Sequence, residues 1–179
     1  MWVVLDVQPA LIGGELGVAR ALSATVHAAA EHNLVLLENH PQTPLMYDCA
    51  RKGTVRYLSE SDALVASQLP LVINGKGEPI ESVLSIPIII KSNGGDCAHL
   101  SAWRLAELWR DDLQKYRQRR ATCKVYWRSK CPYCATIVQD GAFGCPRCGR
   151  GFPRPSRVFH AEVRRSDGEV EDPSRMMGM

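Results

Sequence analysis

No stretch of this sequence is long and apolar enough to span a bilayer. The greasiest runs, Leu34 to Leu37 and Ile86 to Ile90, fall far short of the roughly 20 residues a spanning helix needs. Basic residues are missing around the apolar start, Met1 to Leu5, which stops at Asp6, so the N-terminus does not read as a secretory signal. Internal repeats and low-complexity tracts are also absent, which excludes a repeat array. With 179 residues, 45% of them apolar, the chain can bury one good core and is too short for a large multidomain enzyme. The expectation is a soluble protein without membrane contact, cytoplasmic when synthesised.

Acidic residues are scarce in one region: 11 basic residues between Lys115 and Arg157 face only Asp140. Residues 1–100 hold 6 Lys/Arg against 10 Asp/Glu, leaving 16 and 9 for the remainder, so the overall +3 divides into about −4 and about +7. This asymmetry reads either as a solvated cationic face or as contact with nucleic acid or another acidic partner. Nucleic-acid binding would use Arg117 to Arg157 with Tyr126, Trp127, Tyr133 and Phe143 interleaved.

What the chain does have is cysteine, seven in all. Two C-x-x-C pairs and the missing signal favour reduced thiols and metal over disulfides. Cys131-Pro132-Tyr133-Cys134 and Cys145-Pro146-Arg147-Cys148-Gly149 form two knuckles, with Asp140-Gly141 as the turn between them. Each offers two thiolates to a single ion, and a complete shell of four leaves no open position for water or substrate. The expectation is one structural zinc ion in a small ribbon; iron suits the same four sulfurs, and a redox dithiol is the weaker reading. Cys49 and Cys123 read as buried small apolar residues.

Element by element, Trp2 to Val7 suggests a strand, Gly13-Gly14 a break, and Leu16 to Glu31 a helix that Asn33 to Asn39 would extend. His40 to Pro44 forces a loop. Gly53 to Leu58 reads as a brief extended segment and Leu69 to Glu81 as a surface loop. Cys97 to about Arg119 is the strongest helix: Leu100, Trp103, Ala106 and Leu113 fall with Ala102, Leu105 and Trp109 on a broad apolar stripe. Thr122 to Trp127 and Val158 to Val163 are predicted strands. Ser166-Asp167-Gly168 turns the chain, Glu169 to Asp172 returns antiparallel, and Pro173 is expected to end regular structure.

Cys97 opens the strong helix behind Gly94-Gly95-Asp96. A thiolate there would gain from the helix dipole and from unpaired amides, which could also stabilise an oxyanion. The bland reading is a small core residue. His160 on one strand and Asp172 on the next supply a possible base and orienter. Register decides whether they meet. A two-residue turn at Asp167-Gly168 would put them on opposite faces; a three-residue loop, Ser166 to Gly168 with Gly168 left-handed, would put them on the same face.

These residues resemble a known family. Gly95-Asp96-Cys97 opening a helix, followed by a strand His and then an Asp, is similar to the transglutaminase-like branch of papain-type thiol enzymes. The closer resemblance is to small transglutaminase-like proteins of tailed bacteriophages, through residues 94–108 and 159–175. It implies an α+β fold with a papain/transglutaminase-like core, the Cys-bearing helix packed on a small antiparallel sheet. That core would comprise residues 1–128 and 155–179, with residues 129–154 as the inserted zinc ribbon. It further implies Cys97 as nucleophile, His160 as base and Asp172 as orienter, for thiol acyl transfer or amide hydrolysis. A non-catalytic part in the virion, at the tail, baseplate or head-tail connection and among other phage proteins, is the alternative. Ala98-His99 departs from the two acids usual in the phage proteins. His99 itself reads as a surface or packing residue, because positions two apart on a helix diverge.

Overall fold

The computed structural model describes residues 3–5, 14–68, 81–134 and 136–179. Trp2, Asp6 to Gly13 and most of the expected surface loop, residues 69–80, lie outside that set. The fold is a mixed α+β arrangement with small sheets.

Two long helices organise the core. Helix α1 (Gly14–Asn39) is continuous through the segment expected only as its extension. Its buried positions Val18, Leu22, Val26, Ala30, Leu34 and Leu37 recur every three or four residues, one face of a helix. Helix α5 (Cys97–Tyr116) lies along it, and Leu100, Trp103, Leu105 and Ala106 are fully buried, as the apolar stripe predicted. It ends earlier than expected, because Arg117 turns left-handed at φ 58 and its amide caps back to Leu113.

Strand β1 (Val3–Leu5) precedes α1, and between the two helices run the short elements α2 (Met46–Lys52), β2 (Arg56–Tyr57), α3 (Glu60–Ser67), β3 (Glu81–Val83), α4 (Ile86–Lys91) and β4 (Gly94–Gly95). Strand β1 pairs with β3 antiparallel, and β2 with β4 in parallel. The second pairing requires glycine. A Cβ on Gly94 would stand 2.6 Å from the Arg56 carbonyl oxygen, and one on Gly95 would stand 2.8 Å from His99 Cβ.

The main sheet contains β5 (Thr122–Lys130), β6 (Ile137–Val138), β7 (Ser156–Arg164) and β8 (Val170–Glu171), in the order β6-β5-β7-β8. Strands β5 and β7 pair antiparallel from Thr122↔Arg164 to Lys130↔Ser156, both longer than the sequence suggests. Cys123, Val125, Ala161 and Val163 join the core shared with α1 and α5, while Lys124, Tyr126, Arg128, His160 and Glu162 alternate onto the other face. The Cys123 carbonyl accepts from Ser23 Oγ at 2.8 Å, fixing the sheet to α1. Cys49 and Cys123 are buried, and burial pushes the Cys123 thiol up to about 12, as expected of an inert packing residue.

Residues 131–152 hold a separate small cluster, in which Cys131, Val138, Cys145 and Phe152 are buried together. It leaves the sheet between β5 and β7, and the nominal boundary at Ser129 falls inside β5. One expectation fails at the end of the chain. Pro173 does not end regular structure; it opens helix α6 (Pro173–Met176), with Asp172 as N-cap accepting the Arg175 amide. Proline at the first helical position costs no hydrogen bond, so Asp-Pro is a helix start as readily as a stop.

Candidate functional site

The β7–β8 hairpin brings two of the predicted site residues together. Val163 pairs with Glu171 and Arg164 with Val170, and the Gly168 amide closes on the Arg165 carbonyl at 3.0 Å. The loop is therefore Ser166 to Gly168, with Gly168 at φ 91, the three-residue form that the pairing requires. His160 and Asp172 then share a face, and His160 Nε2 lies 2.9 Å from Asp172 Oδ2. His160 is almost wholly buried and the Asp172 side chain is 18% exposed.

Asp172 is well supported. Its Oδ1 accepts from Ser174 Oγ at 2.8 Å and from the Arg175 amide at 3.1 Å. Burial pushes its carboxyl up, but the hydrogen bonds from His160, Ser174 and Arg175 outweigh burial and hold it down at about 2. The next residue back faces the other way: Glu171 accepts from Arg104 of α5 at 2.7 and 3.1 Å and from Tyr47 of α2 at 2.7 Å. Arg104 also reaches buried Glu107, which accepts the Met46 amide at 2.6 Å. Consecutive residues thus bind the hairpin to the helices and aim the acid at the histidine.

Cys97 occupies the first position of α5 and is 7% exposed. One turn along the same face, Ser101 Oγ donates to the Ala161 carbonyl, beside His160, at 3.3 Å. Strand β2 gathers both flanks of the site. Tyr57 pairs with Gly95, just before Cys97, and its amide donates at 2.9 Å to the carbonyl of Met177, beyond Asp172.

The helix start differs from expectation. Asp96 Oδ1 accepts the amides of Ala98 at 2.9 Å and His99 at 3.0 Å, and the Asp96 amide donates to His99 Nδ1 at 3.1 Å. This reciprocal cap takes two of the helix-start amides that the sequence reading offered to an oxyanion and places a carboxylate against the positive end of the dipole. His99 is buried, not on the surface, and serves the cap. The spacing Asp96-x-x-His99 was the available signal, although Glu or Gln is the usual residue at its far end.

Tyr126 and Arg128, which the sequence reading placed only in the basic stretch, and Glu162, which it gave no role, surround His160. Tyr126 is the cross-strand partner of His160 and meets its ring edge to face, with centroids 5.9 Å apart. Its hydroxyl donates to Glu162; Arg128 donates to both, reaching Glu162 Oε1 at 2.8 Å. Burial and then Glu162 push the Tyr126 phenol up. Alternation along β5 and β7 would have placed all three beside His160.

The four knuckle cysteines form a second centre. Cys131 and Cys148 Sγ are 3.8 Å apart, and Cys134 and Cys145 Sγ 3.5 Å, with all four sulfurs within 4.8 Å of one another. Four sulfurs about 2.3 Å from a tetrahedral ion have edges of about 3.8 Å. The set therefore fits one metal ion, and the distances are far too long for disulfides. Hydrogen bonds from Thr136 bring Cys134 down to about 6; the Arg150 amide supports a thiolate at Cys148, yet desolvation and the neighbouring sulfurs push it up to about 11.

Three of the eleven basic residues between Lys115 and Arg157 are engaged in ion pairs with described residues. Arg119 pairs with Glu31, Arg128 with Glu162, and Arg157 with Glu15 and Asp140. Trp127 donates to the Glu15 carbonyl and packs edge-on to Phe159; Tyr133 and Phe143 are exposed. No helix among the described residues is long and apolar enough to cross a membrane. Comparison with known protein families, curated proteins and solved structures finds no match to this chain.

Proposed function

We propose that the chain is a thiol acyl-transfer protein of the transglutaminase-like kind that the sequence resembles in tailed bacteriophages, with Cys97 as nucleophile, His160 as base and Asp172 as orienter. The observation that carries this reading is the His160–Asp172 pair, 2.9 Å apart on the β7–β8 hairpin, whose strand β7 is tied to α5 through Ser101 and the Ala161 carbonyl. With Nε2–H held by Asp172, the imidazole lone pair lies on Nδ1, the nitrogen left to take the thiol proton. The Cys97 sulfur would then form a bond to the carbonyl carbon of an amide or ester. His160 returns the proton to the departing amine or alcohol, leaving a thioester. Water or a second amine, deprotonated by His160, cleaves the thioester and restores the thiol. With the Ala98 and His99 amides taken by Asp96, charge on the tetrahedral oxygen must be met by other donors.

Zinc suits Cys131, Cys134, Cys145 and Cys148 best. It would supply a cross-link rather than chemistry, since four thiolates close its coordination shell. The core of that segment contains few large apolar side chains, Val138 and Phe152 chief among them. A segment so small folds with help from a metal.

A second reading, a non-catalytic phage virion component built on the same core, is favoured by the 7% exposure of Cys97. Alkylation by iodoacetamide at neutral pH separates the two. Catalysis requires Cys97 to react well ahead of buried Cys49 and Cys123, and to slow when His160 becomes Ala. Equal rates at the three cysteines leave the scaffold reading.

A further inference from the structure

The four-cysteine segment displays side chains that metal binding leaves unexplained. Each knuckle has the form Cys-Pro-x-Cys, and the residues at x, Tyr133 and Arg147, are both exposed. Closure of the four sulfurs on one ion therefore sets where both stand. Arg150, just beyond the second knuckle, lays its guanidinium over the Tyr133 ring, 5.2 Å from the centroid. Phe143 is 76% exposed, yet its carbonyl accepts the amide of buried Phe152 at 2.9 Å, so a bare ring is held on the core of the segment. One exposed ring is ordinary; two among cations define a surface.

The charges narrow what that surface takes. From residue 129 to 154 the one carboxylate is Asp140, and it accepts from Ser129 and Arg157. Lys130, Arg147, Arg150 and Arg154 have no acidic partner among the described residues. A zinc ion with four thiolates would carry two net negative charges, and these four cations still leave the segment positive. Elsewhere in the basic stretch the rings are engaged: the Tyr126 hydroxyl is bonded to Glu162, and Trp127 packs on Phe159. Cations without counter-ions beside open rings suit a phosphate backbone with unstacked bases. A duplex keeps its base faces from such rings, and no helix among the described residues of 131–152 could enter a major groove. An acidic peptide would answer the cations alone.

We propose that the four-cysteine segment is a binding surface for single-stranded nucleic acid, with Phe143 and Tyr133 stacking on bases and Arg147, Arg150 and Arg154 meeting phosphates. Cys97 takes no part, so this binding stands or falls apart from acyl transfer.

The test follows the full, zinc-loaded chain binding a fluorescein-labelled oligothymidylate of about 15 nucleotides, by anisotropy from about 50 to 200 mM salt. The expected log–log salt slope is about −2, three phosphates at about 0.7 each. Phe143→Ala should weaken binding about tenfold with the slope kept, the size of one lost stack, and Phe143→Trp should hold or tighten it. Arg147→Gln together with Arg154→Gln should flatten the slope by about 1.4, and the corresponding double lysine variant should restore it. Native mass spectrometry checks that each variant keeps its metal; where Phe143→Ala or the glutamine variant loses it, Phe143→Trp and the lysine variant still test the same positions. Absent or salt-independent binding overturns the proposal, as does binding that neither set of substitutions changes. So does tighter binding of the matching duplex, or of a polyglutamate peptide, which would make the partner a double helix or an acidic protein.

Discussion

Replacing Asp172 by Asn and by Ala separates the two tasks of that residue. In the folded protein its carboxyl is held at about 2 against an ordinary value of 3.8, a gap approaching two units. At about 1.4 kcal/mol per unit this contributes on the order of 2 kcal/mol at neutral pH, and the side chain is buried enough for most of it to survive screening. Because the folded value is depressed, that contribution is fully present above about pH 4 and is lost as the pH falls towards about 2. Asn keeps an oxygen for Ser174 and the Arg175 amide but no charge for His160; Ala loses the cap of α6 as well, worth about 1 kcal/mol more. Urea unfolding, followed at intervals from pH 7 to pH 2, should therefore show Asp172→Asn destabilised by about 2 kcal/mol at pH 7 and matching wild type near pH 2. Asp172→Ala should be destabilised by about 3 kcal/mol relative to wild type at pH 7. The Asn amide turned to Nε2 also favours a lone pair there rather than on Nδ1, so Cys97 alkylation should slow in this variant. A wild-type–Asn difference that does not vary with pH would refute the reasoning, as would an Ala variant no weaker than Asn.

Gly168→Ala meets no steric obstacle but forces an L-residue to φ 91, and should cost about 1 to 2 kcal/mol in thermal unfolding while loosening the pairing that aligns His160 with Asp172. Gly94→Ala places a methyl 2.6 Å from the Arg56 carbonyl oxygen; proteolysis or hydrogen exchange should report separation of β2 from β4, and unaltered protection would contradict the close approach. Purified protein should carry one zinc per chain by native mass spectrometry. A strong chelator should make Cys131, Cys134, Cys145 and Cys148 reactive to a thiol reagent and open residues 131–152 to exchange, while the α1–α5 core stays protected.

Helix α5, the two knuckles and the conditional register of the hairpin were legible because each depends on local spacing: the apolar stripe, two C-x-x-C pairs, and Asp167-Gly168 between alternating strands. The parallel pairing of β2 with Gly94-Gly95 was not. It is two residues long and joins distant segments, so it leaves no periodicity, and nothing in Gly94-Gly95 itself marks a close approach to Arg56. Helix α6 was hidden by the double meaning of proline. The Arg104–Glu171–Tyr47 group links three elements across the chain, and nothing in the sequence marks which of many charged residues will meet. At the candidate site, side-chain identities were readable but access was not: the burial of Cys97 and the use of its neighbouring amides by Asp96 emerge only from packing.

That cap has a consequence for the life of the protein in an oxidising moment. Peroxide and disulfides attack thiolates, and a sulfur at the start of a helix is ordinarily among the first casualties. Here a buried carboxylate has already claimed the dipole and two of its amides, so the helix start offers a charge on Cys97 less support than a bare terminus would. On the proposed acyl-transfer reading, ionisation of the sulfur falls to His160, which would tie its vulnerability to the same event that would make it useful.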